Sequence, residues 1–308
     1  MQRAKQWMPV DVYVGGIEHA ILHLLYARFI ARFMHTQGQL ASPEPVTRLL
    51  AQGMVLGRTY KDAGTGEYLE EWREGCAEVW EKMSKSKLNG VDPETVVDAH
   101  GADALRLTLL FAGPPDMEIK WTGDSAVQGS VRFMRRVWGL VARAGLHGAD
   151  DAKVAEKRRG AVDACVASVT AHIAEDKFNV AIADMMKLCN TLSADEHVTL
   201  QRDDVATLLL LLAPFAPFFA QEAWTVLKGS LDSSGVHAQR WPAVAATSGV
   251  PFTVLVKGRK VLEGRQPCLA GEDDDAFARR VAIDSAATSG LARRVVRRPD
   301  GSVIVSYF

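Results

Sequence analysis

Short apolar segments, glycine turns and helical patterns alternate in the first third of the chain. Residues 10–14 are apolar enough for a buried strand, and Gly15-Gly16 follows them directly. Residues 49–56 predict a second buried strand, whereas residues 58–80 are polar, contain glycine and predict a surface excursion. Between the strands, apolar residues recur at helical spacing and predict one buried helix face made of Ile17, Ala20, Ile21, Leu24, Leu25 and Phe29.

A lysine-rich loop and a helix start complete this region. Residues 82–87 form the loop, after which Asp92 suits an N-cap and Pro93 the first helical position. Strand, glycine turn, helix, strand, loop and helix in this order predict half of a doubly wound α/β sheet. Residues 1–7 are neither a signal sequence nor a transit peptide and run straight into the strand. We therefore expect the protein to begin upstream of this segment.

The pattern changes to helical periodicity after residue 123. Residues 124–145, 156–176, 178–194 and 202–228 each predict a helix, and together a helix bundle. Beyond two Gly/Ser- and Ala/Pro-rich stretches, residues 252–256 and 261–263 predict a hairpin around Lys257-Gly258. A helix over 273–287 and strands at 294–296 and 302–307 complete the expectation. The predicted domains are residues 1–122, 123–242 and 251–308, a multidomain α/β plus α architecture.

Composition narrows the classes of protein that fit. The 308 residues are 48% hydrophobic and 24% charged with a net charge of −1, so any polyanion must be bound by local basic patches. The apolar stretch 206–220 is short for a membrane span and contains two prolines. Scattered cysteines, without zinc-type spacing, favour a reducing compartment and predict no structural zinc: Cys76, Cys165, Cys189 and Cys268.

The string Lys82-Met83-Ser84-Lys85-Ser86, named here the KMSKS loop, is the sharpest chemical signal. Two ammonium groups three residues apart, with small hydroxyl residues beside them, suit a loop that grips a polyphosphate. A solvated basic loop is the competing interpretation, because charge runs usually face water.

A second candidate segment, Gly15-Gly16-Ile17-Glu18-His19, lies at the predicted strand-to-helix turn. Such a turn lets a nucleotide approach the backbone, and a carboxylate just after it can bind ribose hydroxyls. His19 and His23 stand four residues apart, so a metal pair is a minor alternative. A third ligand at suitable spacing is missing from the sequence.

Pro9 to Phe29, PVDVYVGGIEHAILHLLYARF, closely resembles the catalytic segment of bacterial-type leucyl-tRNA synthetases, which are class I enzymes. The resemblance continues, in family order, through the KMSKS loop, residues 101–107 and 111–115, residues 213–217 and residues 256–260. It implies the C-terminal half of a Rossmann-like catalytic domain, an anticodon-binding helix bundle and a small βα domain that holds tRNA.

The resemblance also implies roles for individual residues. Gly15, Gly16 and Glu18 would line the ATP ribose, and His19 and His23 would lie near the leucyl-adenylate. Lys82 and Lys85 would be catalytic, stabilising the α-phosphate transition state and the pyrophosphate within an ATP-binding loop that includes Met83, Ser84 and Ser86. Met54 and Val55 would border adenine, although plain core packing explains these two residues equally well.

Arginines supply the candidate tRNA contacts. Arg132, Arg136 and Arg143, named here the arginine stripe, share a narrow sector of one predicted helix. Such a stripe can track phosphates, but a solvated face explains it equally well. Lys257, Arg293 and Arg294 lie in the domain that the resembled family uses to hold tRNA.

The HIGH motif of that family and its editing domain have no counterpart in the sequence. The implied function is leucine–tRNA ligation from leucine, ATP with Mg²⁺, and leucine tRNA, in a segment that we expect to be inactive without an N-terminal half. A non-catalytic tRNA-binding module and a synthetase for isoleucine or valine remain alternatives. The expected location is the cytoplasm, with the mitochondrial matrix or another organelle as second choice, and no membrane.

Overall fold

The computed structural model describes residues 2–145, 152–194, 200–229, 234–244, 250–256, 259–266, 293–298 and 302–307. Its chain divides into two units, Met1–Gly129 and Ser130–Phe308. The elements of the first unit are α1 Gln2–Trp7, β1 Val10–Gly16, α2 His23–Thr36, β2 Val46–Gln52, β3 Val55–Asp62, β4 Tyr68–Leu69, β5 Cys76–Lys82, α3 Pro93–His100, α4 Ala102–Phe111 and β6 Ile119–Lys120. The helix α5, Asp124–Arg143, begins in this unit and ends in the next.

A βαβ unit opens the first unit. β1 and β2 pair in parallel, from Val10 opposite Val46 to Gly16 opposite Gln52, and α2 connects them. Parallel strands need such a crossover, which confirms the predicted order of strand, glycine turn, helix and strand. The predicted burial of the two strands is wrong, because Val10, Val12, Val14 and Leu49 are exposed. The predicted helix start is wrong, because Ile17–His19 is a short 3-10 helix and α2 begins only at His23.

Helix α2 buries a different face from the one that the sequence predicts. Ala31 is buried, and Leu24, Ala27 and Met34 at the same heptad-like spacing are partly buried. Most of the expected stripe is exposed, including Ile17, Ile21, Leu25 and Phe29. The helix is apolar on both sides, so periodicity could not indicate which side packs. Its exposed apolar face is made of Leu22, Leu25, Tyr26, Phe29, Ile30 and Phe33.

The second sheet has the order β4-β3-β5, with β6 parallel to β3. β3 and β5 pair antiparallel from Leu56 opposite Lys82 to Asp62 opposite Cys76. Residues 58–80 are therefore largely antiparallel strands flanking β3, and most of them are exposed or partly buried, as a surface excursion requires. The strands themselves were not predicted. The predicted single strand 49–56 is also two strands, broken at Gly53, where a Cβ would stand 2.0 Å from the carbonyl oxygen of Met117.

The loop-to-helix junction is as the sequence predicts. The Asp92 carboxylate accepts a hydrogen bond from the backbone N–H of Glu94 at 3.0 Å, and Pro93 occupies the first turn of α3. Gly101, with φ 86°, separates α3 from α4. Ala104 and Leu107 of α4 are fully buried.

The helices of the second unit follow the predicted segments closely. They are α6 Ala152–Ala174, α7 Phe178–Ser193, α8 Arg202–Leu212 and α9 Pro217–Lys228. The predicted single helix over 202–228 is two, since Pro217 starts a new helix at its N1 position. Fully buried side chains from α5, α7 and α8 form the core, among them Phe133, Leu140, Ile182, Met185, Leu208 and Leu212.

Two polar clusters link the helices of this bundle. Asp184 on α7 accepts a hydrogen bond from the hydroxyl of Ser168 on α6 and lies 3.1 Å from Nδ1 of His172. Arg158 on α6 pairs with Asp204 on α8. Because these polar side chains are largely buried, the pairing fixes which helix faces meet.

Four strands end the described chain: β7 Val250–Val256, β8 Arg259–Gln266, β9 Arg293–Arg297 and β10 Val303–Tyr307. Their order is β8-β7-β10-β9, with β10 parallel to β7 and the other pairs antiparallel. The predicted hairpin and the two later strands are confirmed. The predicted helix over 273–287 and Lys257 lie outside the described residues. Within the described part of the chain, no helix is long and apolar enough to cross a membrane.

Candidate functional site

An ion pair joins the two segments that the sequence singles out. The Lys82 ammonium lies 3.0 Å from Glu18 Oε1, although 64 residues separate them. The Glu18 carboxylate folds back over Gly16, where a Cβ would stand 2.2 Å from Oε2. A hydrogen bond from its own backbone N–H, then the bond from Lys82, lowers the pKa of Glu18, which keeps it anionic. The ion pair between Glu18 and Lys82 thus joins the turn after β1 to the end of β5.

The KMSKS loop begins at the last residue of β5. The backbone N–H of Met83 donates to the carbonyl of Val55 at 3.2 Å, and the hydroxyls of Ser84 and Ser86 lie 2.9 Å apart. Lys85 begins a short 3-10 helix, Lys85–Lys87. Lys85 borders an open cavity of about 750 Å³ whose lining also includes Glu70, Met83, Ser84, Asp92 and Pro93. The loop therefore presents Lys85 at the edge of this cavity, while Lys82 is held by Glu18.

Asn89 anchors this loop, a role that no sequence pattern indicated. Its Oδ1 accepts from the N–H of Ser84 at 2.8 Å, and its Nδ2 donates to Thr59 Oγ1 at 2.7 Å. Nδ2 also lies 3.2 Å and 3.4 Å from the carbonyl oxygens of Glu81 and Lys82. Asn89 is 7% exposed and Thr59 is 1% exposed. A lone asparagine after a basic string gives no signal in one sequence.

The two histidines do not share a helix face. His19 ends the 3-10 helix and His23 begins α2, so the predicted i, i+4 pair is wrong. His23 Nε2 lies 2.6 Å from the hydroxyl of Tyr13 on β1. Among the described residues, no group of three or more His, Cys, Asp or Glu side chains is placed to hold a metal ion.

Met54 and Val55 lie between β2 and the loop. The carbonyl of Met54 accepts from the N–H of Ile119 at 3.0 Å, and the carbonyl of Val55 accepts from the KMSKS loop. Both side chains are partly buried. The structure thus brings Val55 beside Met83, while adenine contact and core packing both remain compatible with these positions.

The arginine stripe lies on the outside of α5. Arg132 and Arg136 are exposed and Arg143 is partly buried, whereas Phe133 and Val137 on the opposite face are fully buried. Nη1 of Arg136 donates to Asn190 Oδ1 on α7 at 2.6 Å. Arg135 is a further exposed arginine on this helix, outside the predicted stripe.

The C-terminal basic residues are only partly described. Arg293 and Arg294 are in β9, where they pair with Tyr307 and Ser306 of β10. Lys257 lies outside the described residues, so its contacts are not assigned.

Family models match two parts of the chain. The model "tRNA synthetases class I (I, L, M and V)" matches residues 76–122, which hold β5, the KMSKS loop, α3, α4 and β6. The model "Anticodon-binding domain of tRNA ligase" matches residues 160–263, which hold most of the helix bundle.

Curated relatives decide between the members of this class. The chain is 41% identical to a leucine–tRNA ligase of Synechococcus elongatus over 282 residues, which cover 83% of this chain and 32% of the relative. It is 41% identical to the leucine–tRNA ligase of Thermosynechococcus vestitus over 268 residues, covering 79% and 31%. The chain belongs to the leucine–tRNA ligase family. It spans about a third of the length of these relatives.

Solved structures agree with this family assignment. An Agrobacterium radiobacter K84 structure of a LeuRS–tRNA–LeuAMS ternary complex matches 97% of this chain and 38% of its own, with TM-score 0.67 and 27% identity. A Mycobacterium tuberculosis methionyl-tRNA synthetase in complex with methionyl-adenylate matches 71% of this chain and 44% of its own, at TM-score 0.50 and 19% identity. The second likeness shows the shared class I fold.

Proposed function

We propose that this leucine–tRNA ligase segment forms part of an enzyme that joins leucine to its tRNA by using ATP. The leucine carboxylate attacks the α-phosphate of ATP, giving leucyl-adenylate and pyrophosphate, and a terminal ribose hydroxyl of tRNA then takes the leucyl group. The observation that carries the proposal is the meeting of Lys82 in the KMSKS loop with Glu18 beside the Gly15-Gly16 turn.

The Gly15-Gly16 turn and the KMSKS loop would bind different parts of ATP. Glu18 offers a carboxylate for ribose hydroxyls at a turn where Gly15 leaves the backbone open, while Lys82 and Lys85 offer charge to the phosphates. Ribose would compete with Lys82 for Glu18, and so ATP binding would free the lysine for the phosphates. Mg²⁺ would enter with ATP as part of the substrate and would neutralise phosphate charge.

His19, His23, Met54 and Val55 would form the surroundings of the adenylate. The contact between Tyr13 and His23 would hold that ring at the C-terminal end of β1, where ligands bind in open α/β sheets. Met54 and Val55, beside Met83, would border the adenine. Ser84 and Ser86 would contribute hydroxyls at the loop tip.

Exposed apolar surface supports a further partner, the rest of the catalytic domain. The exposed apolar face of α2 is of the kind that packs against a partner, because a contiguous exposed apolar patch marks an interaction site. The two-stranded parallel sheet beside it is also unusual alone, because parallel sheets have both faces covered. We infer that an N-terminal half, on the same or a separate polypeptide, covers this face and supplies the HIGH motif.

The second unit would bind leucine tRNA. Its helix bundle matches an anticodon-binding domain, and the arginine stripe gives the exposed face of α5 a positive charge. Lys257, Arg293 and Arg294 would add contacts from the C-terminal domain, which we place at residues 251–308 after a catalytic region at 1–122 and a bundle at 123–242.

We also propose a reducing location, the cytoplasm in first place and the mitochondrial matrix or another organelle in second. The unpaired cysteines Cys76, Cys165 and Cys189 support this, and burial raises the pKa of the Cys165 thiol to about 12, which makes it unreactive. Cell fractionation would test it.

Leucine-dependent ATP–pyrophosphate exchange tests the enzyme proposal. The purified chain should show no exchange, because losing one pre-placed donor already costs about 2.7–4 kcal/mol and half a site supplies many. Adding an N-terminal fragment of the Synechococcus elongatus enzyme, ending where the match begins, should restore exchange. Isoleucine and valine should not replace leucine.

Each other outcome has a definite meaning. Exchange by the chain alone contradicts the incomplete site. Exchange with isoleucine or valine would reassign the amino acid. If the chain binds tRNA and associates with the added N-terminal fragment but still shows no exchange, it is a non-catalytic tRNA-binding module.

A further inference from the structure

One face of the second sheet carries a tryptophan surrounded by cations. On β3 and β5, Arg58 lies directly opposite Trp80, and Leu56 lies between Lys82 on β5 and Lys120 on β6. Because side chains alternate along a strand, these residues share one face. We name Arg58, Trp80, Lys82 and Lys120 the Trp80 patch.

Two of the cations contact the indole itself. The Arg58 guanidinium lies 5.5 Å from the Trp80 ring centroid, and the Lys120 ammonium lies 5.4 Å from it. Cations at such distances are attracted by the negative face of the ring. The Trp80 side chain is partly exposed, so the patch offers part of an aromatic surface together with positive charge.

Of the four residues of the Trp80 patch, two cations are paired with carboxylates and one is not. Arg58 lies 3.4 Å from the Glu78 carboxylate, and Lys82 is paired with Glu18. Lys120 is exposed and, within the described residues, contacts the indole and no carboxylate. Arg58 and Lys82 keep about half of their side-chain surface exposed, so both ion pairs are open to exchange for another anion.

We propose that the Trp80 patch binds single-stranded RNA, with a base stacked on Trp80 and neighbouring phosphates on Lys120 and Arg58. Aromatic side chains set among cations bind single strands in this way, without needing a particular base. The proposal rests on the proposed function. An acceptor ribose must reach the site that contains Lys82, and the patch shares that lysine with the site.

The test measures the binding of a fluorescein-labelled hexauridine RNA to the full 308-residue chain by fluorescence anisotropy. Trp80→Leu should raise Kd about 5- to 150-fold, the range that base–aromatic stacking gives. Trp72→Leu is the matched control, because Trp72 lies in the same unit, is 63% exposed and is outside the patch. It should leave Kd unchanged.

A second variant covers the case in which Trp80→Leu does not fold. Lys120→Gln removes only an exposed charge, and it should make the slope of log affinity against log salt shallower by about 0.7. Each titration is repeated in a chain whose arginine stripe is replaced by glutamine, so that binding to α5 does not hide the patch.

The proposal is overturned if the wild-type chain does not bind hexauridine, or if Trp80→Leu and Lys120→Gln bind it as the wild type does. Pyrophosphate exchange needs no RNA, so it judges the proposed function separately. Trp80-dependent RNA binding without exchange in the complemented enzyme would keep the patch and reject the ligase.

Discussion

Asn89 gives a prediction whose size follows from the structure. Replacing it by alanine removes the acceptor of the Ser84 N–H and the donor to Thr59, the two short hydrogen bonds at 2.8 Å and 2.7 Å. Each bond contributes about 0.5–1.5 kcal/mol net, so the attachment of the loop should weaken by about 1–3 kcal/mol. The two longer contacts to backbone carbonyls add little.

Hydrogen–deuterium exchange on the isolated chain measures this change. Amide exchange in the 83–89 peptide reports local opening, so Asn89→Ala should accelerate it about 5- to 150-fold. Peptides from the helix bundle should exchange as in the wild type, because that unit does not depend on the loop. Ser86→Ala is the control, since it removes only the exposed bond to Ser84 and should leave the base of the loop closed.

Unchanged exchange at Ser84 in the Asn89→Ala chain would refute the anchoring role. It would mean that the bond from Met83 to Val55 and the 3-10 helix hold the loop without Asn89. Faster exchange throughout the first unit would instead place Asn89 in the general stability of the sheet.

Two further predictions concern function. In the enzyme completed by an N-terminal half, Lys85→Ala should lower the rate of adenylation by roughly two to three orders of magnitude with little change in leucine affinity, because the lysine meets charge that develops in the transition state. Stopped-flow kinetics measures the adenylation rate and equilibrium dialysis measures leucine affinity. Weakened leucine binding at a normal adenylation rate would contradict this role. Neutralising the arginine stripe should weaken tRNA binding and make its salt slope shallower by about 0.7–0.9 for each phosphate that an arginine no longer neutralises, while an unchanged slope in filter binding would show a solvated face.

Local sequence signals predicted the parts of the fold that local chemistry controls. The N-cap at Asp92, the glycine turn after β1 and the helix spacing of α5 to α7 depend on neighbours within a few residues, and each is present. The KMSKS loop lies beside the Gly15-Gly16 segment, as the predicted half-sheet requires, but the ion pair with Glu18 crosses 64 residues and has no local signal.

Two differences between the prediction and the structure share a physical cause, which is that both faces of the element have the same polarity. In β3 and β5 both sheet faces carry polar side chains, so the alternation that identifies a strand is weak, and the strands within residues 58–80 could not be predicted. In α2 both sides are apolar, so the periodicity could not tell the side that packs from the exposed side. The shared helix face of His19 and His23 was predicted wrongly for a different reason, because the helix was assumed to begin at Ile17.

The anchoring of the loop has a consequence for which substitutions β3 can accept. At Gly57 a Cβ would stand 2.4 Å from the carbonyl oxygen of Asn89, and Thr59 supplies the hydroxyl that Asn89 binds. Two positions of β3, some thirty residues upstream, are therefore constrained by the loop, although neither belongs to it. A deep mutational scan should find Gly57 as intolerant as the lysines, with Thr59 accepting serine more readily than valine.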